Sequence, residues 1–316
     1  MIGYAIRRLF YGVLIVFLVT LFVFFALRLI PGDPVRAALA DAPGVTEEQI
    51  AQRTAELGLD KPVISQLFTF LGNAFTGDLG KSFYTEQPVT EMILERLPAT
   101  LELGVLSLLI GVLLGVPLGM LSALRVNTWV DQVLRVVSVA GISIPSFWIG
   151  LMLVTYLALW FSWTPPLSYS TPLEDPAKNF LQMILPALAL SAGTVAAVAR
   201  FLRSSLLEVL SSNYIRTVRA KGAGPRIVLV KHATRNSLIP IFTILGLQVG
   251  HILGGTVILE TIFSIPGMGT LIAEAVRQRD YPVVLGSVIV FAGVFIFVTI
   301  LVDLAYGVID PRVRYQ

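Results

Sequence analysis

The 316 residues are 55% hydrophobic and only 14% charged, with a mean hydropathy of +0.81; a soluble domain averages roughly 45–50% apolar and about 25% charged. The chain therefore reads as a polytopic membrane protein, and its lack of cysteine excludes disulfides and thiolate metal sites. A formal net charge of +3 excludes little by itself; the placement of the charges is what informs.

The first apolar run, 9–29, is uncharged from Leu9 to Leu27. Arg7-Arg8 before it and Ala38-Leu39-Ala40 after it imitate a secretory signal. The apolar core exceeds the usual length of about 7–15 residues, and Pro31-Gly-Asp-Pro34 intervenes before the small residues, so an uncleaved first span is expected.

Residues 31–98 predict an external helical insert. Thr46-Glu-Glu-Gln49 matches a capping box. After Pro62, the residues Val63, Leu67, Phe70, Leu71 and Ala74 fall on one helical face, and a third short helix is expected after Thr90. So small a subdomain should lie against the span ends. It is either a packed lid or a docking platform for an external protein, with Gly77, Asp78, Leu79 and Gly80 as candidate docking residues. Gly80-Lys81-Ser82 imitates a phosphate loop, but Phe75 stands where that motif requires glycine, so it is rejected.

Five further runs, near 103–124, 136–162, 181–199, 237–259 and 282–304, bring the expected spans to six; each approaches the ~20 residues that cross a bilayer. Pro145 lies in the third and Pro186 in the fourth, which a membrane helix tolerates when neighbours satisfy the freed carbonyl. Glycine ladders, Gly111/Gly115/Gly119 and Gly246/Gly250/Gly254, strip side chains from one face of the second and fifth spans. Such a face permits close helix packing; in the fifth span it serves equally to widen a solute path.

The connection from Arg200 to Asn236 continues the fourth helix through Leu206 and Leu207, and Ser211 or Ser212 then caps a new one. On this helix Tyr214, Ile215 and Val218 form an apolar side, with Arg216, Arg219 and Lys221 around the rest. Gly222-Ala-Gly224-Pro225 must break it, and a second helix from Arg226 leads into Pro240. The segment is either a basic loop lying on anionic lipid or a rod for a soluble partner to grip.

With the N-terminus inside, 14 of the 23 basic residues fall on the inner side. Basic residues favour the cytoplasmic side, so both termini are expected in the cytoplasm. Within the spans, Arg28, Glu102 and Asp303 lie near ends, whereas His251 is central. His251 either makes an interhelical hydrogen bond or lines a solute route beside Gln248. The candidate route comprises Ser143, Phe147, Gln248, Gly250, His251 and Gly254. This scarcity of ionisable groups argues against an ion-coupled secondary transporter, which buries carboxylates or broken helices at the midplane. One histidine without sulfur or carboxylate neighbours makes no metal site. No nucleotide, zinc-protease or serine-hydrolase motif is present, so no catalytic residue is assigned.

The basic segment Asn213-Tyr-Ile-Arg-Thr-Val-Arg-Ala-Lys-Gly222 resembles the cytoplasmic motif of inner-membrane subunits of ATP-binding-cassette importers, in the subgroup importing dipeptides, oligopeptides, glutathione and nickel. The likeness runs nearly end to end: Pro31-Gly-Asp-Pro34, Gly77-Asp-Leu-Gly80, Arg96-Leu-Pro-Ala-Thr-Leu-Glu-Leu-Gly104, Ile144-Pro-Ser-Phe147, His232-Ala-Thr-Arg-Asn-Ser-Leu-Ile-Pro240, Glu260-Thr-Ile-Phe-Ser-Ile-Pro-Gly-Met-Gly269, Arg279-Asp-Tyr-Pro282 and Asp310-Pro-Arg-Val-Arg-Tyr315. The general importer motif begins Glu-Ala-Ala, which falls here on Arg216-Thr217-Val218; the departure resembles the peptide subgroup's own version.

The resemblance implies an all-α membrane protein with six transmembrane helices of the type I importer permease kind and a small external insert. The implied divisions are 1–30 (N-terminus and first span), 31–98 (external insert), 99–307 (five-helix core with a coupling segment 203–236) and 308–316 (cytoplasmic tail). Implied partners are a second homologous permease, two cytoplasmic ATPases carrying ATP and Mg, an external substrate-binding protein and the inner-membrane bilayer, with no nucleic acid and no cofactor in this chain. Tyr214, Ile215, Arg216, Val218, Arg219, Ala220, Lys221 and Gly222 would couple to the ATPases. The cargo would be a di- or oligopeptide, with glutathione, nickel and oligosaccharide as alternatives within the class.

Overall fold

The computed structural model describes residues 2–39 and 45–309. The Asp310–Tyr315 stretch and Ala40 lie outside the described residues, as do the side chains of Pro240 and Asp303. In chain order the helices are α1 (Ile2–Leu29), α2 (Pro34–Ala38), α3 (Glu47–Glu56), α4 (Val63–Phe75), α5 (Val89–Leu124), α6 (Trp129–Ser143), α7 (Ser146–Phe161), α8 (Pro176–Ser211), α9 (Asn213–Ala220) and α10 (Pro225–Ile227). A π-helical stretch, Val228–Thr234, then leads to α11 (Arg235–Ser237), α12 (Ile239–Ile262), α13 (Met268–Gln278) and α14 (Tyr281–Ile309).

Among the described residues, five helices are long and apolar enough to cross a membrane: α1, α5, α8, α12 and α14. The third expected span, 136–162, is not one helix. It is α6 and α7, bent by 105° at Ile144-Pro145. Proline has no N–H, and it pushes the residue before it out of the helical region; Ile144 is extended, with φ −85° and ψ 126°. The backbone is re-satisfied on both sides, from Ile144 N–H to Ala140 O at 2.9 Å and from Trp148 N–H to Pro145 O at 3.0 Å. Pro186, by contrast, is absorbed inside α8. The separate short helix expected after Thr90 is absent among the described residues: α5 starts at Val89 and runs unbroken to Leu124.

The chain packs as two units, one of residues 101–265 with the end of the chain from 297, the other of Ile2–Thr100 with Pro266–Ile296. In the first, α8 is the central element: α6, α7 and α12 pack against it, and α5 meets it along its glycines. The α5 ladder makes this possible: a Cβ at Gly115 would lie 2.8 Å from Val198 Cβ, and one at Gly119 2.7 Å from Ala199 O. The α12 ladder divides. Gly246 faces Val302, Gly254 has open space beside it, and the tight approach belongs to Gly255 against Leu190.

In the second unit, Phe24 and Leu27 of α1, Leu67 of α4, Val89 and Ile93 of α5, Met268 and Leu271 of α13 and Val283 of α14 form one apolar core. The Thr46 capping box is present in both directions, with Gln49 N–H to Thr46 Oγ1 at 3.3 Å and Thr46 N–H to Gln49 Oε1 at 3.0 Å. Of the α4 face, Leu67 is buried and Phe70, Leu71 and Ala74 pack on the core, but Val63 at the helix start is exposed. Truncating a buried leucine costs about 2–5 kcal/mol, whereas exposed positions change stability by about 0.5 kcal/mol or less. Leu67→Ala is therefore expected to speed protease cleavage within residues 45–90 in membrane vesicles, with Val63→Ala unchanged; equal rates would show that α4 is not held by this core.

Candidate functional site

α8 ends at Ser211 and the chain turns at Ser212, whose extended backbone (φ −71°, ψ 153°) lets its Oγ accept from Ile215 N–H at 3.5 Å, a loose cap. On α9, Ile215 is fully buried among Leu202, Leu206, Val228, Ala233 and Ile241, while Val218 is partly buried. Arg216, Arg219, Ala220 and Lys221 are exposed, and Tyr214 is half-exposed. One apolar residue thus roots the helix and its basic residues point to solvent.

The helix end is a Schellman motif. Ala223 N–H reaches back to Val218 O at 3.3 Å and Gly222 N–H to Arg219 O at 2.9 Å. Gly222 has φ +84°, and a Cβ there would meet nothing within 4 Å. Glycine is needed for the left-handed backbone, not for lack of room. Tyr214 Oη lies 2.7 Å from His232 Nδ1, and the two rings meet edge to face at 5.8 Å, tying α9 to the π-helical stretch.

A buried ion pair near the base of this segment was not anticipated from sequence. Asp131, at the start of α6 and without solvent exposure, receives Arg203 Nε at 2.7 Å and Nη2 at 2.8 Å. Ser122 Oγ donates to it at 2.6 Å and Asn127 N–H at 3.0 Å, so both carboxylate oxygens are saturated. Arg135 approaches from one turn along at 3.8 Å. The pair joins α5, α6 and α8, the helix that leads into α9. The only sequence signal was an acid in the first turn of a largely apolar helix, which names no partner.

An open cleft of about 730 Å³ lies in the same unit, at the α6–α7 break, between α8 and α12. Phe147, Gln248, Gly250, His251 and Gly254 line it. Ser143 does not; Ser146, just past the break, takes that place. The interhelical hydrogen bond weighed for His251 is made instead by Gln248, whose Nε2 donates to Thr194 Oγ1 at 3.2 Å, while His251 is exposed. A broken helix at a cavity is the arrangement in which irregular backbone survives at membrane depth.

The Gly77–Gly80 stretch has a structural reason of its own. Gly77 and Gly80 both have φ +85°, the Asp78 carboxylate accepts from Gly80 N–H at 2.9 Å, and Leu79 is buried in the core. Only Gly77 and Asp78 face outward fully. Three quoted motifs converge in this unit. The Arg279 guanidinium lies where a Cβ on Gly32 would project, Pro282 packs on Gly80, and Asp280 accepts from Ser82 Oγ at 2.5 Å and Phe83 N–H at 3.2 Å. Burial pushes the Asp280 carboxyl above the usual carboxylate range, against these donors.

Long apolar helices around a cleft, with a basic helix rooted in the same unit, mark a polytopic membrane protein, and its relatives give the class. The chain belongs to the family of binding-protein-dependent transport system inner membrane components, matching it over residues 115–315 and the family's N-terminal part over residues 1–104. A probable peptide ABC transporter permease of Sinorhizobium fredii is 39% identical over 312 residues, 99% of each chain. The dipeptide transport system permease protein DppB of Escherichia coli is 40% identical over 321 residues, with 94% of each chain covered. The glutathione transport system permease protein GsiC of Pectobacterium atrosepticum is 39% identical over 317 residues, the full length of both. The fold matches a chain of the inward-facing MetNI methionine ABC transporter with a TM-score of 0.56 at 15% identity, over 69% of this chain and 96% of that one. The protein is thus a multi-pass inner-membrane, non-catalytic subunit of an importer of this kind.

Two outcomes test the geometry. Removing one partner of a buried ion pair costs about 3–5 kcal/mol, because the other charge is left uncompensated. Asp131→Ala should therefore lower the thermal stability of the purified protein sharply, while Arg135→Ala, at a half-exposed contact, should shift it by about 1 kcal/mol or less. Equal shifts would deny the clamp its role. At Asp280 the raised carboxyl makes the folded state hold more protons than the unfolded chain between about pH 4 and its folded value. Its contribution to stability is thus greatest in acid and falls as the pH rises through that window. The melting temperature of wild type relative to Asp280→Asn should decline over the same window, and a flat difference would contradict it.

Proposed function

We propose that the chain is one permease subunit of an ATP-driven peptide importer, forming half of the translocation path for di- or oligopeptides. The naming of full-length relatives as peptide, dipeptide and glutathione permeases supports the substrate class. In this reading a second homologous permease supplies the other half, two cytoplasmic ATPases hydrolyse ATP with Mg, and an external binding protein delivers the cargo. Both termini lie in the cytoplasm, and the helical segment 31–98 faces the binding protein.

The observation that carries the coupling role is the construction of α9. A rod rooted by Ile215, closed by a Schellman motif and bare of neighbours at Gly222 presents Arg216, Arg219 and Lys221 to a soluble partner. Closure of the ATPases displaces the rod, and its root in α8 and the helices after it passes the displacement to the cleft walls. Alternating access then requires two bundle states whose relative energies depend on the partners. Phe147, Gln248, Gly250, His251 and Gly254 line the route. A mixed wall with few charges suits a passage that must release its cargo, and binding selectivity is assigned to the external protein.

Gly222→Glu keeps the open surroundings but adds bulk and negative charge at the rod tip. It is expected to leave insertion and complex abundance unchanged while peptide uptake into proteoliposomes falls at least about tenfold, the ATPases continuing to turn over. Gly222→Ala carries only the backbone penalty of about 1–2 kcal/mol and should reduce uptake less. Unchanged uptake by Gly222→Glu would defeat the coupling assignment. Identifying the ligand on the cognate binding protein decides among peptide, glutathione, nickel and oligosaccharide. Accumulation of solute by the purified chain alone would return an ion-coupled carrier.

A further inference from the structure

A second cleft, of about 310 Å³, lies wholly within the unit of Ile2–Thr100 and Pro266–Ile296 and shares no residue with the translocation cleft. Arg28, in the last turn of α1, lines one side. Its guanidinium sits 3.4 Å from the centre of the Phe24 ring and 5.7 Å from that of Tyr281. Nη1 donates to Phe24 O at 3.0 Å and Nη2 to Gln66 Oε1 at 2.6 Å. Gln66 is a neutral partner and is itself pinned, donating to Leu59 O at 3.1 Å and Lys61 O at 2.8 Å. These bonds hold the turn after α3, in which Gly58 has φ +66°, so that Lys61 lines the same cleft.

Two cations therefore share one cleft, and neither is paired within it. Among the described residues neither Arg28 nor Lys61 forms an ion pair, and the single carboxylate in the lining, Glu56, is taken by Arg53 at 3.2 Å. A guanidinium has five N–H donors, and among the described residues Arg28 uses two, on Phe24 O and Gln66 Oε1. The Asn73 amide, which forms no hydrogen bond among the described residues, adds further donors to the lining. Holding a cation partly out of water without an anion is costly, yet here a glutamine and a turn are arranged to keep it in place. Leu57, Leu59, Phe70 and Leu285 supply apolar wall, and Thr69 adds a hydroxyl.

The depth of the site selects the anion. The apolar part of α1, Arg7–Leu29, is 23 residues, about 35 Å at the rise of an α-helix and close to the ~30 Å of a hydrocarbon core. Arg28 is one residue from its end, at the level where lipid headgroups begin. We propose that this cleft binds the phosphodiester of a membrane phospholipid, with Arg28 and Lys61 as its two charges and the apolar walls against the glycerol and first methylenes. The occupant is a lipid headgroup and not free phosphate, because the cleft joins cationic donors to apolar wall at the end of a span.

The test uses the permease with its companion subunits, purified in detergent and exposed to short-chain phosphatidylglycerol, with phosphatidylcholine and inorganic phosphate as comparisons and retained lipid read by native mass spectrometry. A basic residue near an anionic membrane surface is worth about fivefold in binding. Lys61→Gln, at an exposed position outside the core, should reduce phosphatidylglycerol retention about fivefold, and Arg28→Gln/Lys61→Gln about twenty-fivefold. Because Arg28 also packs on Phe24, the Lys61→Gln result stands even if the double variant is unstable. Equal retention by wild type and Lys61→Gln would overturn the proposal. So would displacement of the lipid by equimolar inorganic phosphate, which would make this a free-phosphate site. Unchanged lipid retention with weakened capture of the binding protein would assign the cations to a protein carboxylate instead, and would overturn it as well.

Discussion

A hydrocarbon core offers no hydrogen-bond partner to a peptide group, and nearly everything in this chain follows from that. Each span must satisfy its own backbone, so the crossing elements are helices, and the architecture is decided by where helices are allowed to stop. The one expected span that breaks does so at Ile144-Pro145, where the backbone borders an open cleft. Elsewhere proline is absorbed, as Pro186 is within the most buried helix of the first unit. The same residue type thus bends one span and leaves another intact.

Without a hydrophobic drive between helices in lipid, close approach and polar bonds hold a bundle together. Gly115 and Gly119 let α5 settle against the α8 backbone, and Gln248 bonds to Thr194 across the cleft wall. The Asp131–Arg203 pair is of another kind. It saturates a buried carboxylate of α6 with donors from α5, the turn after it and α8, and so fixes the register of the three helices before α8 hands over to α9. Beyond that point Ile215 fixes α9 in an apolar socket with Leu202 and Leu206 of α8, and the proposed coupling role rests on that rooting.

The second unit shows why motifs far apart in sequence travel together. Gly32, Gly80, Ser82, Arg279, Asp280 and Pro282 belong to three separate stretches, yet they touch around one apolar core. Much of what made those stretches look functional is packing and turn geometry: Leu79 is buried, and its flanking glycines hold left-handed backbone. Beside this core Arg28 packs on Phe24, yet it and Lys61 carry charge that no carboxylate in the described residues pairs with.

What the amino-acid sequence determined unaided is local. Hydropathy over about 20 residues marked the membrane class and the spans; Thr46–Gln49 and the Ser211-Ser212 pair announced helix starts, the structure choosing Ser212; Gly222 announced a helix end, because glycine is the residue that takes positive φ without strain. The chain's likeness to importer permeases was equally legible, since it rests on strings of adjacent residues. What only the tertiary structure decided is which way each helix is turned about its axis. That rotation sends Gly255 instead of Gly254 against α8, leaves His251 exposed at the cleft while Gln248 finds Thr194, and brings Asp131 to Arg203 across 72 positions. One residue along a helix moves a side chain by about 100°, given 3.6 residues per turn, and the neighbour that fixes the rotation is not written beside it.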